Sequence, residues 1–224
     1  LREPKNYLAI LKAIAFSKTK FNEISVETGL EKNILNKYLN VLQELKLIEK
    51  ETPVTEKNPD KSHKGIYKLS EPFLKFWFRH VYPYKSDLEI GEYKAVESQI
   101  NKFFHSLEEA SYEMICREIL KTEQDKIFQI RKIGRWWKND QEIDLIGLNN
   151  DTKEIIFGEA KWSNKPIEMD VLENLKKKTR FVDWNKSKRK EYFALFSKSG
   201  FSDKVKITAK KEGIILFEKN KMIS

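Results

Sequence analysis

Up to about residue 70 the hydrophobic residues return every three or four positions, the period of a helix with one buried face. Tyr7, Leu8, Ile10, Leu11 and Ile14 predict a first helix, and Ile24 and Val26 predict a short second one closed by Gly29. Over residues 31–46, Ile34, Leu35, Tyr38, Leu39, Val41, Leu42 and Leu45 make a broad apolar stripe that leaves Lys32, Asn33, Asn36, Lys37 and Asn40 facing out. The period then drops to two. Residues 47–53 and 66–69 read as strands on either side of the polar loop 57–65, which carries Lys64. Residues 70–84 are crowded with aromatic side chains and predict a helix with Ser70 as N-cap, Pro72 in its first turn and Pro83 at its end. An aromatic stripe at this spacing is more readily core than a surface for stacking bases.

The second half alternates differently. From Tyr93 to about residue 121 a long helix is expected, with Val96, Ile100, Phe103, Phe104, Leu107, Tyr112, Ile115, Ile119 and Leu120 as its apolar set and Glu108, Glu109, Glu113 and Glu118 along it. Strands are expected at 127–133, 141–148 and 154–162, with a loop at 134–140. A helix over about 168–181 carries Val171, Leu172 and Leu175 on one side and Lys176, Lys177, Lys178 and Arg180 around the other. A buried strand at 192–196, a helix at 202–211 and a last strand at 213–217 follow. The order α-β-β-β-α-β-α-β makes the fold class α/β (α+β), and the segments divide the chain at 1–70, 71–92 and 93–224.

Charge changes this picture. The 224 residues carry 43 Lys plus Arg against 34 Asp plus Glu, a net +9 that favours an anionic partner, with DNA the leading candidate. The outward face of the third helix would be a reading head for DNA, or a docking face for a protein. Lys176, Lys177, Lys178, Arg180, Lys186, Lys188, Arg189 and Lys190 form a basic cluster that suits a phosphate backbone, or a solvated helix face. No run reaches the length of a membrane span, and no signal-peptide pattern opens the chain. The single Cys116 sits in an apolar helical pattern, as expected in a reducing, cytoplasmic setting. Without an initiator Met, the chain reads as a fragment of something longer. His63 and His80 have no second ligand at metal spacing.

One hairpin has charges where a core strand should be apolar. Side chains alternate across a strand, which predicts Glu142, Asp144, Ile146 and Leu148 on one face and Ile155, Phe157, Glu159 and Lys161 on one face of the partner. Burying an unpaired carboxylate costs on the order of several kcal/mol, so two acids near one lysine call for a divalent metal, or else for an ion pair at the sheet rim. Trp136, Trp137 and Trp162 flank this point, to stack on an unpaired base or to close the rim.

The first five elements resemble a winged helix-turn-helix domain, whose third helix would enter a DNA major groove. Asp144 on the second strand and Glu159-Ala-Lys161 on the third resemble the core of the PD-(D/E)xK, restriction-endonuclease-like superfamily, with its mixed central sheet. That resemblance implies Mg²⁺ or Mn²⁺ held by Asp144 and Glu159, with a helix glutamate, Glu113 or one turn earlier Glu109, completing the shell. Lys161 would position the attacking water and, with its pKa depressed by burial and the metal, accept a proton. The whole run, through Phe73-Leu-Lys-Phe-Trp-Phe-Arg79, Gly134-Arg-Trp-Trp137 and Phe157-Gly-Glu-Ala-Lys-Trp162, resembles the C-terminal region of archaeal-type AAA+ ATPases. No Gly-x-x-x-x-Gly-Lys-Ser/Thr loop is present, so ATP is expected on a preceding module rather than here. The expectation is a DNA-binding, metal-dependent nuclease-like module. Its rival is a regulatory module that grips DNA or a partner without cutting.

Overall fold

The computed structural model describes residues 3–223, apart from the side chains at 95, 99, 102, 103 and 105–107. The chain divides into two compact units. One holds the residues up to Thr52 with Asn58–Phe104, and the other holds Pro53–Lys57 with the residues from His105 onward.

In the first unit, α1 (Pro4–Ala15), α2 (Phe21–Thr28) and α3 (Lys32–Glu44) precede an antiparallel hairpin of β1 (Ile48–Glu51) and β2 (Ile66–Leu69). The Glu23 carboxylate accepts the Thr19 and Lys20 N–H groups, both at 3.0 Å, and so caps the start of α2. Gly29 ends α2 at φ 68, a left-handed conformation that glycine adopts without strain. Leu35, Leu39 and Leu42, spaced four and three apart, turn one face of α3 into a core with Ile10, Ile14, Ile24 and Ile48. The Tyr67 N–H donates to Thr19 O at 2.7 Å and ties the hairpin to the α1–α2 turn.

The aromatic helix begins as α4 (Pro72–Phe76), with Glu71 rather than Ser70 at the N-cap and Pro72 in the first turn. It then widens: Trp77–Val81 is π-helical, with the Tyr82 N–H donating five residues back to Trp77 O. Pro83 has no N–H to continue the ladder, and the chain passes into a 3₁₀ turn at Tyr82–Tyr84 and then α5 (Lys85–Glu89). Phe78 and His80 are buried. The long helix α6 runs Tyr93–Thr122. Phe103 and Leu107, expected on its apolar face, lie outside the described side chains.

The second unit is built on a mixed sheet, six-stranded among the described residues, in the order β3-β4-β5-β6-β7-β8. β3 (Lys132–Lys138), β4 (Gln141–Asn149) and β5 (Glu154–Lys161) are antiparallel neighbours, β6 (Lys190–Ser197) and β7 (Ile215–Glu218) run parallel to β5, and β8 (Lys221–Met222) is a short antiparallel edge. Helices α7 (Met169–Thr179) and α8 (Asp203–Glu212) connect β5 to β6 and β6 to β7. One core joins Leu172, Leu175 and Val205 to Ile143, Ile146, Leu148, Ile155 and Phe157. Another joins Tyr112, Cys116 and Leu120 of α6 to Leu145, Ile156, Ala160 and Phe196. Ile115, one position off that α6 stripe, is 52% exposed.

The first strand departs from its predicted place. The expected strand 127–133 is displaced to Lys132–Lys138, so the Gly134–Lys138 stretch read as a loop is strand instead. Trp136 pairs with Ile143 and is buried, which outweighs the glycine, and the turn falls at Asn139–Asp140 with Asn139 at φ 54. A second departure concerns β4. Gly134 pairs with Ile146 but Trp136 pairs with Ile143, so Arg135 alone faces two residues, Asp144 and Leu145. This is a β-bulge, and it shifts the alternation by one: Ile143 and Ile146 share a core that strict alternation would have denied them.

Candidate functional site

The bulge decides where Asp144 goes. The β4–β5 ladder is regular from Asn149↔Glu154 to Leu145↔Gly158 and stops there. One step on, the Ala160 N–H donates to Asp144 Oδ2 at 3.0 Å, so a side-chain carboxylate takes over from a backbone carbonyl. Asp144 therefore stands at the end of the paired region rather than on the Ile146–Leu148 face where alternation placed it.

Its neighbours come from both sides. Glu159, 5% exposed, accepts from Lys161 Nζ at 2.9 Å and from Lys178 Nζ at 3.1 and 3.0 Å. Burial raises the pKa of Asp144, and the Glu159 charge adds to it, against the Ala160 N–H, Lys161 and Lys178. Glu113 on α6 feels the same group. Burial first and the Asp144 charge second lift its pKa to about 7, against Arg135 and Arg117. Arg117 lies 3.9 Å from Glu113, and Arg135 pairs closely with Glu142. Glu109, the substitute one turn earlier, is exposed. Glu159, Asp170, Lys161, Lys177 and Lys178 open with Gln141 and Asn174 onto a pocket of about 380 Å³, whose lining includes neither Asp144 nor Glu113.

Lys161 differs from expectation. Burial works to lower its pKa, but Glu159 overcomes this and holds it above the ordinary lysine value. Its Nζ donates to Glu159 Oε1 at 2.9 Å. Lys178 was read on the solvent side of α7, yet it lies three residues after buried Leu175 and reaches Glu159. Leu175 and Lys178 are three apart and so are neighbours on the helix surface, which puts Lys178 at the edge of the apolar stripe.

The donor set can be tested against a metal. Carboxylate oxygens are the ligands a hard divalent ion takes, and Asp144 and Glu113 both lie where added positive charge would relieve a raised carboxyl. Among the described residues, however, no three His, Cys, Asp or Glu side chains are gathered closely enough to hold an ion between them. The Lys161 and Lys178 ammonium groups balance the charge of Glu159.

Several members of the basic cluster are engaged by partners within the fold, although only Arg189 and Lys178 have largely covered side chains. Lys176 pairs with Glu212 and lies over the Phe193 ring. Arg189, with a side chain 2% exposed, donates to the carbonyls of Thr179, Val182 and Trp184 and to Glu191. Lys186 donates to Arg180 O, and Lys190 lies 3.7 Å from Glu154. Lys177 and Arg180 are exposed. In the other unit Lys32, Asn33, Asn36, Lys37 and Lys64 are all exposed, as is Ile34 beside them. Trp136 is core. Trp162 packs on Tyr112 at 4.9 Å under Lys198 Nζ, and its Nε1–H is buried without a hydrogen-bond partner among the described residues.

Residues 77–182, which include Glu113, Asp144, Glu159, Lys161 and Lys178, match the DUF234 family, described as archaeal and bacterial proteins of unknown function. An uncharacterized protein of Methanocaldococcus jannaschii is 36% identical over 167 residues, covering 72% of this chain and 37% of that protein. The chain thus spans little more than a third of the length of the curated relative it matches. No solved structure matches it. No helix among the described residues is long and apolar enough to cross a membrane.

Proposed function

We propose that the chain is a DNA-binding, metal-dependent nuclease-like module of the PD-(D/E)xK kind, preceded by a winged helix and working as the C-terminal part of an archaeal-type ATPase in the cytoplasm. The observation that carries this reading is Asp144 at the interrupted end of the β4–β5 ladder, within electrostatic reach of Glu159, which pairs with Lys161 at the wall of a lysine-rich pocket. The order of three helices and a hairpin supports the winged helix, and α6, the mixed sheet and α7 support the nuclease core. The ATPase partner rests on sequence resemblance.

In this reading Asp144 and Glu159 would be the ligands of Mg²⁺ or Mn²⁺ and Glu113 the third, and the three would have to draw together around the ion, since among the described residues no three such side chains are gathered. When bound, the ion supplies Lewis acidity toward the phosphate and lowers the pKa of a coordinated water. Lys161, paired with Glu159, would help to neutralise the growing negative charge on the phosphate and, with the ion beside it, could accept a proton from the attacking water. Lys177 meets the phosphate backbone at the pocket wall. Lys32, Asn33, Asn36 and Lys37 on α3 and Lys64 in the hairpin loop grip the duplex. A second reading, a module that binds DNA or a partner and does not cut, is favoured by the neutralisation of Glu159 by two lysines.

Purified protein with Mg²⁺ or Mn²⁺ should cleave single- or double-stranded DNA, and Asp144→Ala and Lys161→Ala should each lower the rate on the order of a hundredfold or more. DNA that is bound and left intact by the wild type would remove the nuclease and leave the binding module.

A further inference from the structure

The outward face of α3 does not end with the residues that grip the duplex. Asn36, Asn40 and Gln43, at helical positions i, i+4 and i+7, form an amide wall along one side of a pocket of about 340 Å³. Lys50, Thr52 and Tyr67 on the hairpin side, with Pro59 and Asp60 of its loop, form the other. Lys50 and Tyr67 are paired across β1 and β2, so their side chains share one face of the hairpin. Gly65 keeps this arrangement possible. A Cβ there would collide with Lys50 Cε and stand 3.0 Å from its Cγ, so only bare backbone lets the lysine stem lie flat while its Nζ donates to Asp60 O at 3.3 Å. Every lining residue belongs to the first unit.

The polar atoms of the wall are largely unengaged. Among the described residues the Asn36 and Asn40 side-chain amides make no hydrogen bond, and Gln43 uses only its Nε2, at 3.3 Å from Leu39 O, leaving its carbonyl oxygen available. An amide sets a donor beside an acceptor, and so does the edge of a nucleobase. Charge points the same way. One lysine and one aspartate leave the lining formally neutral, which suits an uncharged base, while the exposed Lys32 and Lys37 on the same helix carry the charge that phosphates need. The volume lies near the lower bound of about 300 Å³ for small-ligand pockets and admits one nucleotide unit, not a paired duplex.

We propose that this pocket takes an unpaired nucleobase from a DNA strand whose phosphates lie along Lys32 and Lys37, with Asn36 and Asn40 reading the base edge and Lys50 closing the hairpin side. The inference rests on the DNA-binding part of the reading above and not on cleavage. A free nucleotide has the same chemistry, but it would leave the lysines outside the pocket without phosphates. The pocket gives the first unit a preference for tails, ends or gaps, where an unpaired base can enter.

Fluorescence anisotropy of the whole chain in buffer free of divalent ions tests it with three probes: oligo(dA), an abasic strand of the same length and charge, and a blunt duplex. Oligo(dA) should bind about tenfold or more tighter than the abasic strand, the equivalent of one bidentate amide–base pair. Asn36→Ala combined with Asn40→Ala should bring that ratio close to one. Alanine favours a helix more than asparagine does, so α3 stays folded in the variant, and the wild-type ratio needs no variant at all. Free dAMP, followed by calorimetry, should bind more weakly than oligo(dA) because it forgoes the flanking phosphates. Equal affinity for dAMP and oligo(dA) overturns the strand as occupant. A wild-type ratio near one with strands and duplex still bound, or a ratio unmoved by the double substitution, overturns the base pocket and leaves the DNA-binding reading standing. Absence of binding to all three probes overturns both.

Discussion

Helices α3 and α7 are both lysine-rich and both suggest a nucleic-acid surface, but their charges meet different fates. Along α3, Lys32 and Lys37 stand exposed beside Asn33 and Asn36. On and after α7, Lys176 goes to Glu212, Lys178 to Glu159 and Arg189 to three carbonyls. A basic run becomes a binding surface only where the fold leaves it no internal partner. Density of charge is shared by the two helices; availability of charge is not.

That contrast can be broken in three places, the deepest first. Arg189→Met removes the donor that closes the C-terminal end of α7 on the Thr179, Val182 and Trp184 carbonyls, and should cost about 2–3 kcal/mol in urea denaturation, as leaving buried acceptors unsatisfied does. A cost below about 1 kcal/mol would return Arg189 to the class of surface charges. The acidic side of the site offers a second test. The folded Glu113 carboxyl titrates near 7 against an ordinary 4.5, so the folded state holds its proton more tightly than the unfolded chain. Its contribution to stability is full below 4.5 and is lost as the pH rises through 7. In buffer free of divalent ions, melting temperature should fall from pH 5 to pH 8, and Glu113→Gln should flatten that fall; parallel curves for the two proteins would remove the pressure of Asp144 on Glu113. The smallest effect lies on α3. Lys32→Ala and Lys37→Ala should each reduce the slope of log affinity for duplex DNA against log salt by about one, whereas Lys176→Ala leaves the slope unchanged. Equal slopes throughout would mean that α3 does not meet phosphate.

Most of the element order was legible because long apolar stripes fold the same way wherever they occur. Leu35, Leu39 and Leu42 could only bury together, and the run at Tyr192–Phe196 had to be interior. Asp144, Glu159 and Lys161 stood out because charge on a core hairpin has few physical excuses. What escaped was tertiary. Residues 127–131 are as apolar as a strand, but Trp136 gains more by pairing with Ile143, and that partner is known only once β4 is in place. Lys178 lay at the edge of the stripe of Leu172 and Leu175, yet a lysine beside an apolar stripe is commonly a snorkelling surface residue, and only the buried Glu159 makes it otherwise. The raised Lys161 followed from the same omission: without knowing how close Glu159 stands, burial alone predicts the opposite sign.

The bulge at Asp144 and Leu145 makes the site depend on a count as well as on chemistry. Against β3, β4 carries one residue more than an uninterrupted ladder would accept. A chain one residue shorter at this point would pair with β3 without a break. The sheet would be more regular for the loss. In this chain, the irregular strand is what turns a structural sheet into a place where chemistry can be arranged.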